Sequence, residues 1–394
     1  MGGVIGCTLR PRHPKPIGEH AIGILRERLP GADGSDKSGL LAQVHYPVDP
    51  HSPEVSGHAC SWFRDEVLQC IGEGYNINPR ALRSLLGGVR SLDAARPPLS
   101  ASSSVKTERW PVVVFTSGLW GCCEMYTQFC RDLASCGAIV IALEHEDGSG
   151  IYARRAGDDE PIAYNKPPGS GSIVEFRHPF LEQRVQELDS STKAIIAASA
   201  GNNPDGADTS SKTVSLLSQV LEGADPDRMV LVGHSFGSAG ILRYVRRISE
   251  QGSKHPYKGI MLMDMWPDPL TDEDLKQDLQ APFSVVMSEH WVEYESYMES
   301  HEKLIKSNAK SILLGTSIVG TTHQWISESQ LFAPGWLLRK MDLMGSLPWP
   351  KVYGATAKLC DLTLQALLKP EEHRQDLRKK VSEIDPDVIK FEFE

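Results

Sequence analysis

The 394-residue chain predicts an α/β fold, a doubly wound and mostly parallel sheet with helices on both faces. Two observations predict it. Runs such as 111–116 (PVVVFT) and 138–143 (AIVIAL) are apolar at every position, as strands covered on both faces are. Helical patterns alternate with them, which implies right-handed crossovers between parallel neighbours. A composition of 40% hydrophobic and 23% charged residues is that of a globular chain.

In chain order, residues 1–39 read as a flexible N-terminal segment. Gly2 could accept myristate and Cys7 palmitate, although Gly6 stands where that pattern prefers Ser or Thr. Residues 40–369 read as a single domain. It opens with a short strand at 40–48 (LLAQVHYPV), ended by Pro47 and Pro50. Residues 60–105 form a helical, cap-like insertion, amphipathic over 60–96. Within it Arg80, Arg83 and Arg90 lie beside Leu82, Leu85, Leu86 and Val89. Such a stretch could touch a membrane or cover a site. The plainer reading is a helix packed on the core. Pro97, Pro98 and the serines at 100–104 mark a loop.

The strand at 111–116 turns through 117–121 (SGLWG) into a helix at 124–136 and the strand at 138–143. A helix follows at 181–200, then a polar loop at 202–212. The strand MVLVG (229–233) runs into HSFGSAG and the helix ILRYVRRISE. GIMLMD (259–264), FSVVMS (283–288) and SILLG (311–315) supply further strands. The apolar segment 336–349 (WLLRKMDLMGSLPW) is a second candidate for membrane contact, and 370–394 reads as a charged, solvated tail.

Lys and Arg total 41 against 51 Asp and Glu, a formal charge of −10, which disfavours a nucleic-acid footprint. The eight cysteines show neither a CxxC pair nor zinc spacing. Reduced, buried thiols are the expectation, and with them a reducing, cytoplasmic setting. No run approaches the roughly 18 apolar residues of a membrane span, and the N-terminus lacks the pattern of a secretory signal.

The most informative residues are Gly233-His234-Ser235-Phe236-Gly237, a G-x-S-x-G turn between a strand and a helix. Gly233 and Gly237 remove the Cβ atoms that would clash when Ser235 takes a strained conformation at the sheet's carboxyl edge. A serine hydroxyl needs a base within reach, and in the α/β-hydrolase fold acid and histidine follow the serine in that order. Asp264, closing GIMLMD, is the expected acid, with Asp268 as its rival. His323 in GTTHQ is the expected base, with His290 and His301 as rivals. An oxyanion would need two backbone N–H donors, expected from Phe236 and from Leu119 in the turn after 111–116. Neither a metal nor an organic cofactor is required by this chemistry.

These segments resemble the platelet-activating factor acetylhydrolases of the plasma and intracellular type II kind. The likeness lies in VVVFTSGLWGCCEMYTQFCRDLAS (112–135), IVIALEHEDGS (139–149), LEQRVQELDSSTKAI (181–195), VLVGHSFGSAG (230–240), KGIMLMDMWPDPL (258–270) and GTTHQWISE (320–328). It extends from about residue 40 to about 335, with EHED, D-x-W and T-H-Q its more specific parts. The resemblance implies Ser235, Asp264 and His323 as the catalytic residues and Leu119 and Phe236 as the oxyanion amides. It also implies calcium-independent hydrolysis of phospholipids with a short or oxidised sn-2 chain. Three positions depart from the family: Ser117 replaces a histidine, Trp120 a small residue, and Glu146 an arginine. The alternatives are a general carboxylesterase or lipase acting on another small ester, and a silent hydrolase-fold binding protein. Head group, chain length and oligomeric state are not encoded legibly.

Overall fold

The computed structural model describes residues 13–31, 38–58, 60–86, 93–99, 109–201, 215–331, 334–369, 374 and 376–393. Gly2, Cys7, Val89, Arg90, the serines at 100–104 and the loop at 202–212 lie outside the described residues.

The chain begins with two antiparallel strands, β1 (Ala21–Arg28) and β2 (Leu41–Val48). Helices α1 (Asp65–Gly74) and α2 (Pro79–Leu86) follow, and bury Leu82 and Leu86 of the basic stretch in the core. Then come β3 (Trp110–Thr116), α3 (Thr127–Ser135) and β4 (Ile139–Leu143). A separate hairpin, β5 (Tyr152–Arg154) and β6 (Pro161–Ala163), precedes the long helix α4 (Ile173–Ser199) and α5 (Leu216–Glu222). The central unit is β7 (Ala224–His234), α6 (Phe236–Glu250) and β8 (Gly259–Met263). After it run α7 (Asp272–Lys276), β9 (Phe283–Ser288), α8 (Glu289–Val292), α9 (Glu295–Ser307) and β10 (Ile312–Ile318). The chain closes with α10 (Gly335–Lys340), α11 (Trp349–Leu368), α12 (Leu377–Ser382) and β11 (Ile389–Phe391).

Nine strands form one sheet in the order β1-β2-β4-β3-β7-β8-β9-β10-β11. From β4 to β10 every neighbouring pair is parallel, and the antiparallel pairs lie towards the two ends. Alternate residues of each central strand face opposite layers. Val113, Phe115, Val230, Val232, Met261 and Met263 pack with α3, α11 and α12. Val112, Val114, Leu231, Ile260 and Leu262 pack with α4, α5, α6 and α9. All of these strand residues are fully buried, hence the continuous apolar runs in the sequence.

Three expectations need correction. The segment 1–39 contributes β1, whose Ile24 and Leu25 are buried and whose partner is β2. The N-terminal part of α4 lies ahead of the helix expected at 181–200. Pro179 masks it in the sequence, but Ser172 caps it by accepting the Glu175 N–H at 3.3 Å. The segment 370–394 is not a solvated tail, because α12 buries Leu377 and Val381 and β11 pairs with β10. Its charges sit on one side of short elements whose apolar residues are too few to show a period. Among the described residues no helix is long and apolar enough to cross a membrane.

Ile389 sits in β11 at 5% exposure. Ile389→Ala should cost about 2 kcal/mol, read as a lower urea midpoint at unchanged slope. An unshifted midpoint would mean that β11 does not hold the sheet edge in solution.

Candidate active site

The strand β7 ends in a turn that puts Ser235 at φ 57° and ψ −121°, a region that side-chain-bearing residues rarely occupy. Backbone bonds to the end of β8 and the segment after it hold it there. The Ser235 N–H donates to Met263 C=O at 2.9 Å, and Ser235 C=O accepts the Trp266 N–H at 3.3 Å. Gly233 closes the strand, and Gly237 lets α6 approach β3. A Cβ on Gly237 would stand 2.2 Å from Thr116 O. On the opposite side Gly118 brings the turn after β3 against the serine, where a Cβ would meet Ser235 Cβ at 2.9 Å.

Asp264 follows β8 and His323 follows β10, and the fold brings both to Ser235. Ser235 Oγ lies 2.9 Å from His323 Nε2, and His323 Nδ1 lies 2.8 Å from Asp264 Oδ2. The carboxylate is fully buried and also accepts the Ser288 N–H at 2.6 Å and hydroxyl at 2.7 Å. Burial raises the Asp264 carboxyl to about 6, opposed by the nearby His234 and the Ser288 bonds, so it is ionised at neutral pH. Burial, aided by His290, pushes the His323 imidazole well below its ordinary 6.5. The neutral ring therefore donates from Nδ1 to Asp264 and accepts the Ser235 hydroxyl at Nε2.

The rivals sit elsewhere. Asp268 is exposed and bonded to Trp266 Nε1 and Tyr297 OH. His290 Nε2 meets Tyr294 OH at 3.2 Å, and His301 is buried with Nδ1 on Tyr297 C=O.

Among the described residues the amides of Leu119 and Phe236 have no hydrogen-bond acceptor. Phe236 opens α6, where the first N–H groups are unpaired and the helix dipole is positive. Both therefore remain available as donors. Trp120 does not close over them. At φ 56° its N–H donates to Ser149 C=O at 2.8 Å, and its ring stacks edge-on against Tyr75 at 4.9 Å.

Several supporting residues carry no sequence motif of their own. The Gly118 N–H donates to Tyr126 OH at 3.4 Å, and Tyr126 OH meets His234 Nδ1 at 2.9 Å. His234 Nε2 lies 3.1 Å from His323 C=O, which can only accept. His234 is therefore the neutral Nε2–H tautomer, and burial holds its pKa down at about 3. One chain of bonds thus links the turn after β3, the turn after β7 and the loop after β10. The His323 ring is stacked between His234 at 4.6 Å and Trp291 at 3.9 Å.

Behind the oxyanion turn lies Arg184, fully buried on α4. It donates to Asp147 at 2.8 Å, Ser117 C=O at 2.6 Å and Ser149 Oγ at 2.7 Å, and its guanidinium stacks 4.6 Å from the Phe236 ring. Neighbouring positions of the EHED segment are anchored too. Glu144 pairs with Arg64, His145 with Glu187 at 2.7 Å, and Glu146 with Arg28 at 2.9 Å. The Glu146 departure is thus matched by an arginine from β1.

Among the described residues two groups carry enough ligand types for a metal, His234/Asp264/His323 and Cys123/Glu124/Glu144. In the first, both nitrogens of each ring are engaged by the bonds above. In the second, the Arg64 guanidinium already bridges both carboxylates, at 2.5 and 2.9 Å to Glu124 and 2.9 Å to Glu144. Neither presents a free donor set.

Arg184→Met would strand Asp147 as a buried, unpaired charge. The expected loss is about 3–5 kcal/mol in urea unfolding, partly recovered when Asp147→Asn is added. Equal losses in the single and double variants would show that the pair is not what holds this turn.

The fold resembles that of the ferulic acid esterase from Streptomyces cinnamoneus, with a TM-score of 0.61 over 96% of this chain and 98% of that one at 14% identity. The platelet-activating factor acetylhydrolase of Gallus gallus is 24% identical over 335 residues, 79% of this chain and 73% of that protein. Its counterpart from Canis lupus familiaris is 25% identical over 331 residues, 77% and 69% of the two chains. The family described as "Platelet-activating factor acetylhydrolase, isoform II" matches residues 9–388. With that match spanning every strand of the sheet except β11 and every residue of the site, the chain belongs to the platelet-activating factor acetylhydrolase family.

Proposed function

We propose that this chain is a serine esterase that cleaves the sn-2 acyl ester of phospholipids carrying a short or oxidised acyl chain. The observation that carries the reading is the unbroken bond chain Ser235 Oγ–His323–Asp264 at 2.9 and 2.8 Å, with two free amides beside it. His323 Nε2 takes the proton as Ser235 Oγ attacks the ester carbonyl. The amides of Leu119 and Phe236 donate to the resulting oxyanion. The imidazolium is stabilised by Asp264 and by the Trp291 face lying against it. It then protonates the departing lysophospholipid alcohol, leaving an acyl-serine. Water, deprotonated by the same nitrogen, attacks the acyl carbonyl and releases the carboxylic acid and free Ser235.

Family membership supports the phospholipid substrate. A peripheral membrane contact is supported by Trp336, 69% exposed on α10 beside Arg339 and Lys340. The segment after that helix reaches the base loop, where Leu343 C=O accepts the Thr322 hydroxyl at 2.9 Å. Seven free thiols among the described residues support a reducing, cytoplasmic setting.

The deciding test is calcium-free hydrolysis of phosphatidylcholines that differ only in sn-2 chain length, given as monomers and as vesicles. Turnover confined to short or oxidised chains is expected, and Ser235→Ala should lower kcat by about 10⁴-fold or more. Serine-dependent turnover of simple esters alone would move the function to a general carboxylesterase. Identical rates on monomers and vesicles would remove the membrane contact.

The pH profile gives a second check. Activity needs neutral His323 and ionised Asp264, so protonation of the pair on acidification inactivates the enzyme. With the imidazole below 6.5 and the carboxyl at about 6, kcat/KM should hold through neutrality and fall as pH drops through about 6. An acid limb centred at or above pH 7 contradicts this assignment.

A further inference from the structure

Beside the catalytic residues runs a row of aromatic rings, of which the chemistry above uses only Trp291. Trp291, stacked on His323, lies 5.1 Å from Tyr297, which lies 5.1 Å from Tyr294. Trp266 closes the row from the other side, with its ring 6.0 Å from Phe236 and its Nε1 3.2 Å from Tyr297 OH. Trp291, Trp266 and Tyr297 pack against the core, yet Trp266 and Tyr297 are only partly buried and Tyr294 is 44% exposed, so the row reaches the surface.

An anion is built into the same surface. Oδ2 of the exposed Asp268 accepts Trp266 Nε1–H at 3.0 Å and Tyr297 O–H at 3.2 Å. Among the described residues no lysine, arginine or histidine pairs with this carboxylate. Both donors of the aromatic side chains are spent on holding it. What the surface offers a ligand is ring faces, which carry negative potential, and one fixed negative charge.

We propose that Trp266, Tyr294, Tyr297 and Asp268 form a subsite for a quaternary ammonium group, the choline end of the substrate head group. This inference rests on the phospholipid reading above and deepens it. A trimethylammonium group has no proton to donate, carries its charge on methyl surfaces and is weakly hydrated. Ring faces and an oriented carboxylate suit it, because its methyl groups gain contact without a lost hydrogen bond. Continuity of the rings with His323 and Phe236 puts the subsite at the mouth of the esterase site.

The test compares two 2-acetyl phospholipids, one with choline and one with its uncharged isostere, 3,3-dimethylbutanol. The wild type should favour choline by about tenfold in kcat/KM. Asp268→Asn and Tyr294→Ala, both at exposed positions, should each bring that ratio towards one. A ratio near one in the wild type, or one unmoved by either variant, overturns the subsite while leaving the esterase reading intact. If neither lipid is hydrolysed, the esterase reading fails, and binding of tetramethylammonium decides the subsite. Saturable, millimolar quenching of tryptophan fluorescence that weakens in Asp268→Asn sustains it, and no saturable quenching overturns it.

Discussion

The backbone at Ser235 is the constraint on which the rest of the site depends. A left-handed φ of 57° at a residue with a side chain is unfavourable by about 1–3 kcal/mol, so the surroundings must over-determine it. They do so from three directions. Met263 C=O and the Trp266 N–H fix the peptide on one side, the close approach of α6 to β3 fixes the helix, and Gly118 presses from the front. The turn that strains Ser235 also makes Phe236 the first residue of α6, where its amide has no intrahelical partner. In the proposed mechanism nucleophile and oxyanion donor are therefore one structural feature, and loss of the turn would remove both.

Around this turn the protein places polar groups where a hydrophobic core would be expected. Arg184, Asp147, His145 and Glu187 are buried under the strand ends, and the EHED segment sends its side chains to partners in β1, α4 and the segment before α1. Such networks contribute little net stability, because desolvation offsets most of the attraction. What they contribute is a single geometry. The carbonyl of Ser117 has its partner in a guanidinium that is itself held by a carboxylate, so the oxyanion turn has no alternative arrangement of similar energy.

Much of this was legible in the sequence, and the parts that were not share a cause. The nucleophile turn stands out because its glycines are local necessities, readable without knowledge of the rest of the fold. Asp264 and His323 follow from element order, since each lies just after an apolar strand. Ser288, Tyr126, Trp291 and Arg184 act through neighbours far away in sequence, and no local pattern marks a serine that caps α8 while bonding Asp264. The edges of the sheet escaped for a different reason. β1 ends in Arg26, Glu27 and Arg28, which break its apolar run, and β11 is only three residues long, too short for alternation to register. Pro179 hid the start of α4, because a proline inside a helix reads as its boundary.

The two rings clamping His323 also determine the sequence of events. An imidazole held face to face at 4.6 and 3.9 Å has no room to turn over, so it cannot carry a proton from one side of the site to another. In the proposed reaction the same nitrogen, in the same place, must serve the departing alcohol and the arriving water. Those two molecules therefore compete for one berth, and the lysolipid must vacate it before hydrolysis of the acyl-enzyme can begin. The stacking of three rings makes the reaction a strict queue in which the first product leaves before the second reactant enters.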